Sequence, residues 1–187
     1  MKAEKKEIYA VVVDVLLQGR ADDPKPVFKR DPIVQAVGTD QFKLLELIPK
    51  KGADIQIHDT VYIGDEARDK VERVKRRIGL SDLTNMARLE LPFAIETIVK
   101  ANEARFVTFF NTAVPITPKL HMFHLLPGVG KKLMWELIQE REKKPFESFE
   151  DISLRIKSLP GPVKLIVGRV LEELEDPEVK YRLFTAK

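Results

Sequence analysis

The sequence predicts an α+β protein with two domains, in which a small antiparallel β-barrel precedes an all-α domain. Between residues 8 and 78, apolar residues come in short, partly alternating runs separated by turn residues, which is the pattern of β-strands. From residue 81 onward the apolar spacing changes to a period near 3.6, which favours helices. Proline and glycine then interrupt the helical pattern at 126–130 and 159–161, so we expect short helices joined by tight turns.

The composition indicates a folded chain that needs no disulfides. Its 187 residues are 44% hydrophobic, enough for a real core, and 32 Lys and Arg stand against 29 Asp and Glu. This mild positive excess is compatible with a polyanionic partner. The absence of cysteine excludes thiolate nucleophiles and thiolate-rich metal sites. Because Asp14 interrupts the apolar run near the N-terminus and no small-residue cleavage site follows, we expect a cytoplasmic protein without a signal peptide or membrane span.

The first predicted domain, residues 1–80, is an OB-like small β-barrel. Consecutive short strands in this length fit a five-stranded oligonucleotide-binding barrel or a related small barrel. A proline-rich loop at 20–32 follows the first strand, and the last strand is expected to close the barrel. The predicted strands are the runs at 8–17, 33–39, 41–48, 53–64 and 69–78.

A helical segment, residues 81–113, is predicted to connect the two domains. Ser81 can cap a first helix, and Pro92 suits the first position of a second helix. Three aromatic residues continue the helical spacing and are predicted to belong to the core: Phe106, Phe109 and Phe110.

The C-terminal domain, residues 114–187, is predicted to be all-α. Thr117 followed by proline is typical of a helix start, so we expect a helix over 118–126. Pro127 ends that helix, and a second helix follows Gly130 after a very short turn. Two short helices joined in this way form a hairpin.

The hairpin carries groups suited to a phosphate. Without side chains at Gly128 and Gly130, the backbone amides can approach a phosphate oxygen at the start of the second helix. Lys131 and Lys132 add mobile cations beside these amides. This combination is typical of a sequence-independent grip on a nucleic-acid backbone.

Residues 126–130 match in full the pattern of an apolar residue, proline or a small residue, glycine, an apolar residue and glycine. This part of the chain resembles the helix-hairpin-helix superfamily, whose hairpin amides bind a phosphate without reading bases. The resemblance implies this role for Gly128, Val129 and Gly130, although such a hairpin also serves as a packing element. A second turn at 159–161 predicts a tandem helix-hairpin-helix domain. Since Pro162 has no amide hydrogen, we expect this second hairpin to be structural.

A basic segment at 68–77 is a candidate second contact surface on the barrel. Its charge density suggests that Arg73, Arg76 and Arg77 contact nucleic acid. The alternative interpretation is a solvated face whose arginines form salt bridges with neighbouring carboxylates.

No catalytic set can be assembled from the sequence. Lys132 and Asp151 lie near the positions of the lysine and aspartate of base-excision glycosylases, but the surrounding glycosylase sequence is missing and Asp151 suits helix capping. The three histidines have no carboxylates at metal-ligand spacing, and a nucleotide phosphate loop lacks its first glycine and its Ser or Thr. We therefore expect no enzymatic activity, no metal and no cofactor.

The order of barrel, helical segment and paired hairpins resembles an uncharacterised archaeal family of predicted nucleic-acid-binding or RNA-binding proteins. The runs at 58–64 and 124–141 carry this resemblance, which covers the whole chain. It implies non-catalytic binding of RNA or DNA through backbone phosphates. The alternative from another class is a protein-interaction or assembly factor for ribosomal or transcription components, in which the hairpins only pack. The sequence does not decide between RNA and DNA as the ligand, and it leaves the oligomeric state open.

Overall fold

An antiparallel sheet of five strands dominates the N-terminal half of the chain. In a computed structural model, which describes residues 5–187, the strand order is β4-β1-β2-β3-β5. The sheet curls into half a barrel, and every ladder in it is antiparallel. The strands are β1 (Tyr9–Leu16), β2 (Ile33–Gly38), β3 (Leu44–Pro49), β4 (Thr60–Tyr62) and β5 (Val71–Ile78).

The chain forms two compact units. The first reaches Ile95 and includes Phe184–Lys187, and the second comprises Glu96–Leu183. The boundary falls inside a helix, and the predicted domain boundaries after residues 80 and 113 stay predictions.

The predicted closed barrel is wrong. In residues 5–187, β4 pairs only with β1 and β5 pairs only with β3, so the sheet has two edges. The physical reason lies before β4, where the predicted strand at 53–64 forms over only three residues. His58 has a positive φ of 75°, and Asp59 both donates to and accepts from Gln56 in a tight turn. This turn replaces the first half of the strand that would have completed the ladder.

The sheet core is formed by side chains of the β-branched and aliphatic type that favour strands. All six residues of β2 are buried, so the sheet is covered on both faces. One continuous cluster on this sheet consists of Ala10, Val12, Val34, Ala36, Leu45, Leu47, Ile55, Val61, Ile63 and Val71.

A buried carboxylate connects β3 to β5 and to the loop that follows β1. Glu46 on β3 is fully buried and accepts hydrogen bonds from Arg20 at 2.7 Å and from Arg76 on β5 at 2.8 Å. Burial alone would raise the pKa of Glu46, but the hydrogen bonds from Arg76 and Arg20 outweigh burial and lower this pKa. Glu46 therefore stays ionised in the fold.

The first helix begins later than predicted. It is α1 (Asn85–Ala101), and its cap is Thr84, whose hydroxyl accepts from the amide of Ala87 at 3.0 Å. Ser81 lies in a 3-10 turn instead. Pro92 does not start a helix, because it lies inside α1. Helix α1 ends before Asn102, which is the N-cap of α2 (Glu103–Thr112).

The predicted tandem helix-hairpin-helix domain is also wrong, because the helix expected over 118–126 does not form. This segment contains β7 (Leu120–His121), which pairs with β6 (Pro115–Thr117), and then a 3-10 turn at Met122–Leu125. Two imidazoles stabilise the turn. His121 accepts from the amide of Phe123, and His124 accepts from the amide of His121, both at 3.0 Å. Local side-chain hydrogen bonds thus replace the helical ladder.

Three further helices complete the second unit: α3 (Lys131–Lys143), α4 (Phe149–Arg155) and α5 (Pro162–Glu175). Ser148 caps α4, since its hydroxyl accepts from the amide of Asp151 at 2.9 Å. Phe106 and Phe110 are fully buried, as predicted, whereas Phe109 is half-buried. Phe110 stacks on Phe123 with ring centroids 6.0 Å apart. None of the helices in the described residues is both long and apolar enough to cross a bilayer.

The Glu46 carboxylate yields a prediction about stability. Glu46→Gln removes the charge that pairs with Arg20 and Arg76, so we expect the free energy of unfolding to fall by about 1–3 kcal/mol at neutral pH. Because folding lowers the pKa of Glu46, the stabilisation is complete above the ordinary glutamate pKa of 4.5 and is lost as the pH falls through the folded value. Chemical denaturation from pH 7 to pH 3 measures the difference between the two proteins.

Asp22→Asn serves as the control, because Asp22 pairs with the same Arg20 from an exposed position. Its effect on stability should be smaller. A Glu46→Gln deficit as large at pH 3 as at pH 7 would contradict the assignment.

Candidate functional site

The turn at 126–130 is anchored by buried side chains, and its two glycines are exposed to solvent. Leu126 and Val129 are buried and anchor its ends, and the amide of Val129 donates to Leu126 O at 3.1 Å. Gly128 has a φ of +84°, a conformation that only glycine adopts readily. A Cβ added at Gly128 or Gly130 would meet nothing within 4 Å, so the space above the turn is free for a ligand.

The backbone amides divide into used and unused donors. The Val129 amide, predicted to bind phosphate, instead donates its hydrogen bond to Leu126 O inside the turn. The amides of Gly128 and Gly130 have no hydrogen-bond acceptor among residues 5–187. The structure therefore leaves two of the three predicted hairpin donors available.

The start of α3 supplies more donors. Gly130 is its N-cap, with no side chain to accept from the first turn, and the first helical bond runs from Met134 N to Gly130 O at 3.0 Å. The amides of Lys131 and Lys132 therefore point out of the helix without partners in the described residues. The helix dipole adds partial positive charge at the same end.

Lys131 and Lys132 are exposed, and neither has an ion-pair partner in the part of the chain that the structure describes. Their ammonium groups are thus available to an anion. The turn borders a groove of about 430 Å³, whose lining also includes Arg169 and Glu172 of α5. Arg169 is less available, since it is buried and pairs with Glu173 at 3.0 Å.

Helix α5 holds the turn in place by close approach. A Cβ at Gly168 would lie 2.8 Å from Cγ of Pro127, a distance that real Cβ atoms do not tolerate. The Pro127 ring therefore packs directly on the backbone of α5. Pro127 fixes the turn, and the turn fixes the start of α3.

The second turn offers fewer donors. Gly161 has a φ of +113°, and Pro162 is the first residue of α5 and has no amide hydrogen. The surrounding groove of about 540 Å³ includes two carboxylates, those of Glu96 and Glu150, which balance the charges of its two lysines. This turn is less suited to an anion than the turn at 126–130.

The predicted arginines on β5 have different environments. Arg76 pairs with the buried Glu46, and Arg77 donates to the carbonyls of Ala186 and Lys187. The guanidinium of Arg73 is exposed and has no hydrogen bond or ion pair to another described residue. Of the three, Arg73 is therefore the most available to a ligand.

A groove of about 640 Å³ in the second unit did not follow from the sequence. The β6–β7 hairpin forms one wall and α3 forms the other. Lys131 belongs to this groove, and Trp135 lies one helical turn further on the same face of α3. A sequence signal existed in the chain's one tryptophan, four residues after Lys131. The groove is lined by residues 115, 117–121, 124, 131, 134, 135, 138 and 141.

Asp151 takes the capping role expected of it. Its carboxylate accepts from the amide of Glu147 at 3.0 Å and pairs with Arg155 at 3.2 Å. The hydrogen bond from Glu147 lowers the pKa of Asp151, and Arg155 lowers it further. Among residues 5–187, no cluster of three or more histidines or carboxylates could hold a metal ion.

In residues 5–187, one curled five-stranded antiparallel sheet and five α-helices define a protein of the α+β class. Residues 6–186 match the model of the family described as "Protein of unknown function (DUF655)", so the chain belongs to this family. "Uncharacterized protein MJ0038" of Methanocaldococcus jannaschii is 46% identical over 184 residues, which cover 98% of this chain and 82% of that protein. The crystal structure of Af1531 from Archaeoglobus fulgidus matches with a TM-score of 0.91 and 49% identity, over 96% of this chain and all of that one.

These comparisons confirm the predicted membership of an uncharacterised archaeal family. The nucleic-acid binding that the resemblance implied stays a prediction.

The contact between Pro127 and Gly168 yields a second prediction. Alanine is better than glycine in a helix interior by about 1 kcal/mol, so Gly168→Ala would stabilise α5 if the space were free. The overlap with Pro127 costs about 1–3 kcal/mol and also displaces the turn. We expect a lower melting temperature, measured by circular dichroism.

Lys164→Ala, at an exposed position of the same helix, is the control and should leave the melting temperature nearly unchanged. A Gly168→Ala protein that melts higher than the wild type would show that the turn does not depend on this approach.

Proposed function

We propose that this protein binds nucleic acid, RNA or DNA, without catalysis and without reading sequence, through backbone phosphates at the turn 126–130. The observation that carries the proposal is the group of unused amides at Gly128, Gly130, Lys131 and Lys132, on a turn packed firmly against α5. A phosphate oxygen accepts several such donors at once.

The energetics favour an anion over a neutral ligand. Hydrogen bonds to a charged group are worth about 1.5–3 kcal/mol each, roughly twice as much as neutral ones. The dipole of the thirteen-residue α3 adds about 0.3–1 kcal/mol. Because these donors meet phosphate oxygens rather than base edges, the contact is independent of sequence.

The first unit supplies an additional basic surface under this proposal. Arg73 lies in a groove of about 420 Å³ whose lining includes five cationic and two anionic side chains. Arg73 is the proposed contact, whereas Arg76 and Arg77 act mainly in the fold through Glu46 and the C-terminal carbonyls.

The alternative function is an assembly factor for ribosomal or transcription components. Under that function the turn would serve only to pack against α5, and its unused backbone amides would stay bound to water. The two functions differ in one measurement, since only the proposed function requires salt-dependent binding of free RNA or DNA.

Gly130→Glu tests the phosphate site directly. The new side chain has room, because no atom lies within 4 Å of a Cβ there, but its carboxylate repels a phosphate from the unused amides. We expect RNA and DNA affinity to fall about tenfold or more, which corresponds to a loss of about 1.4 kcal/mol. Fluorescence anisotropy with mixed-sequence oligonucleotides measures the affinity.

Val163→Glu is the matched control, because it adds the same charge at the corresponding position of the second turn. Its effect should be small, and both variants must melt like the wild type. Equal losses from the two substitutions would contradict the unequal roles of the turns, and no binding by the wild type at low salt would favour the assembly factor.

The lysines beside the turn predict a change in salt dependence. If Lys131 and Lys132 each neutralise one phosphate, replacing either with alanine lowers the slope of log affinity against log salt by roughly 0.7–1. The change should be the same for all sequences. Lys143→Ala is the control on the same helix, since Lys143 pairs with Glu140 at 2.5 Å and lies at the opposite end. A slope unchanged by Lys131→Ala and Lys132→Ala would exclude these contacts.

A further inference from the structure

Resting on the proposed function, we propose that the groove between the β6–β7 hairpin and α3 binds one unpaired nucleotide, whose base stacks on Trp135 while its phosphate lies at Lys131. The ligand class is then single-stranded nucleic acid, or a strand with an unpaired nucleotide.

The charge of this groove differs from that of the chain. Among its lining residues, Lys119, Lys131 and Arg141 are cationic and none is a carboxylate. The whole chain, in contrast, has 32 basic and 29 acidic residues. The volume of about 640 Å³ lies within the range of small-ligand sites. The groove therefore suits a small, anionic group such as a nucleotide.

Trp135 supplies a stacking surface. Its side chain is 50% exposed on α3, although other large apolar side chains, such as Leu154, are also exposed. Exposure alone therefore decides nothing. Trp135 differs because its ring lies in a cationic groove, beside the lysine that begins α3. An aromatic face next to a phosphate-binding cation is the arrangement with which proteins hold single strands.

His121 provides an independent sign of a missing ligand. This side chain is 5% exposed and belongs to the groove lining. Its Nδ1 accepts from the amide of Phe123, so in the neutral imidazole the hydrogen resides on Nε2. Burial lowers the pKa of His121, and the charge of Arg141 lowers it further, which keeps the ring neutral. Nε2 is buried and has no partner among the described residues.

A buried donor without an acceptor is destabilising, and such groups are rare in folded proteins. Nucleobases offer suitable acceptors in their carbonyl oxygens and ring nitrogens. A base on Trp135 would lie beside the wall that contains His121. Because Nε2 is covered in this structure, a small movement of that wall would bring the donor and the base acceptor together. One ligand would thus use the cation, the aromatic face and the orphan donor together.

The same geometry disfavours a duplex. A base inside a duplex has neighbours on both faces and a paired edge, so neither Trp135 nor His121 can reach it. The phosphate contact at 126–130 makes no such demand. Duplex binding would therefore use only the turn.

Trp135 is the chain's one tryptophan, so intrinsic fluorescence reports directly on this groove. The full chain is titrated with labelled oligo(dT), oligo(rU) and a duplex of equal length, and both anisotropy and tryptophan emission are followed. We expect quenching by the single strands and tighter binding of them than of the duplex. The two single-stranded arms also distinguish DNA from RNA.

Trp135→Ala should weaken single-strand binding about 5- to 150-fold, the effect of losing one stacked base, and leave duplex binding unchanged. Trp135→Phe should restore most of the loss. Phe28→Ala removes an exposed aromatic ring of the first unit and is the control.

His121→Asn isolates the orphan donor, because the asparagine oxygen can still accept from Phe123 while nothing replaces Nε2. We expect about 2- to 10-fold weaker single-strand binding by protein that circular dichroism shows to be folded. Full single-strand affinity in both Trp135→Ala and His121→Asn, or single-strand binding without quenching, would overturn the groove proposal. If Gly130→Glu still abolishes binding in that case, the proposed function survives. A wild-type protein that binds neither single strands nor the duplex would refute both the proposed function and the groove proposal.

Discussion

The second unit depends on the close approach of Pro127 to Gly168. Because residue 168 has no side chain, the proline ring lies against the backbone of α5. Leu126 and Val129 are then buried on either side of the proline and glycine, and Gly128 must take its positive φ to connect them. The start of α3 follows directly from this turn. The unused amides thus have a fixed direction, which a mobile loop could not give them.

Apart from His121 Nε2, the buried polar side-chain atoms of the second unit have hydrogen-bond partners. Buried Glu173 accepts from Arg169 and from the amide of Leu183, and Asn111 exchanges hydrogen bonds with the backbone of Phe146. Among residues 5–187, the buried side-chain atoms without a partner are Gln41 Oε1 and His121 Nε2. Against this background the orphan imidazole is informative, since a fold that satisfies its polar groups so fully leaves few of them unpaired without a role.

The sequence predicted those strands whose pattern is local. The runs that became β1, β2 and β3 are apolar and bounded by turn residues, and β5 is a charged strand with apolar residues at 71, 74 and 78. In contrast, β4 is short because His58 and Asp59 form a turn within its run. Barrel closure depended on pairing between distant strands, which no local pattern encodes. The segment 118–126 has helical spacing, but its two histidines accept from backbone amides and stabilise a 3-10 turn instead.

The candidate site, like the fold, could be predicted from the sequence only where its pattern is local. Gly128 and Gly130 stand out because two glycines at this spacing predict a tight turn with accessible amides, although only Gly128 has a positive φ. Lys131 and Lys132 are their neighbours in the chain. The fate of the Val129 amide depended on turn geometry, which the motif does not specify. Trp135 and His121 come together only because β7 folds beside α3, and this is tertiary information.

The turn and the groove share α3, and its geometry makes them compatible with one ligand. Lys131 and Trp135 are four residues apart, so they lie on one face about 6 Å apart along the axis. That separation matches a phosphate and the base of the same nucleotide more closely than two distant ligands. Both contacts also tolerate any sequence, since every nucleotide has a phosphate and every base has an aromatic face. A single strand held in this way would gain affinity from each contact without any base being specified, and the modest positive charge of the chain would suffice because stacking supplies part of the binding energy.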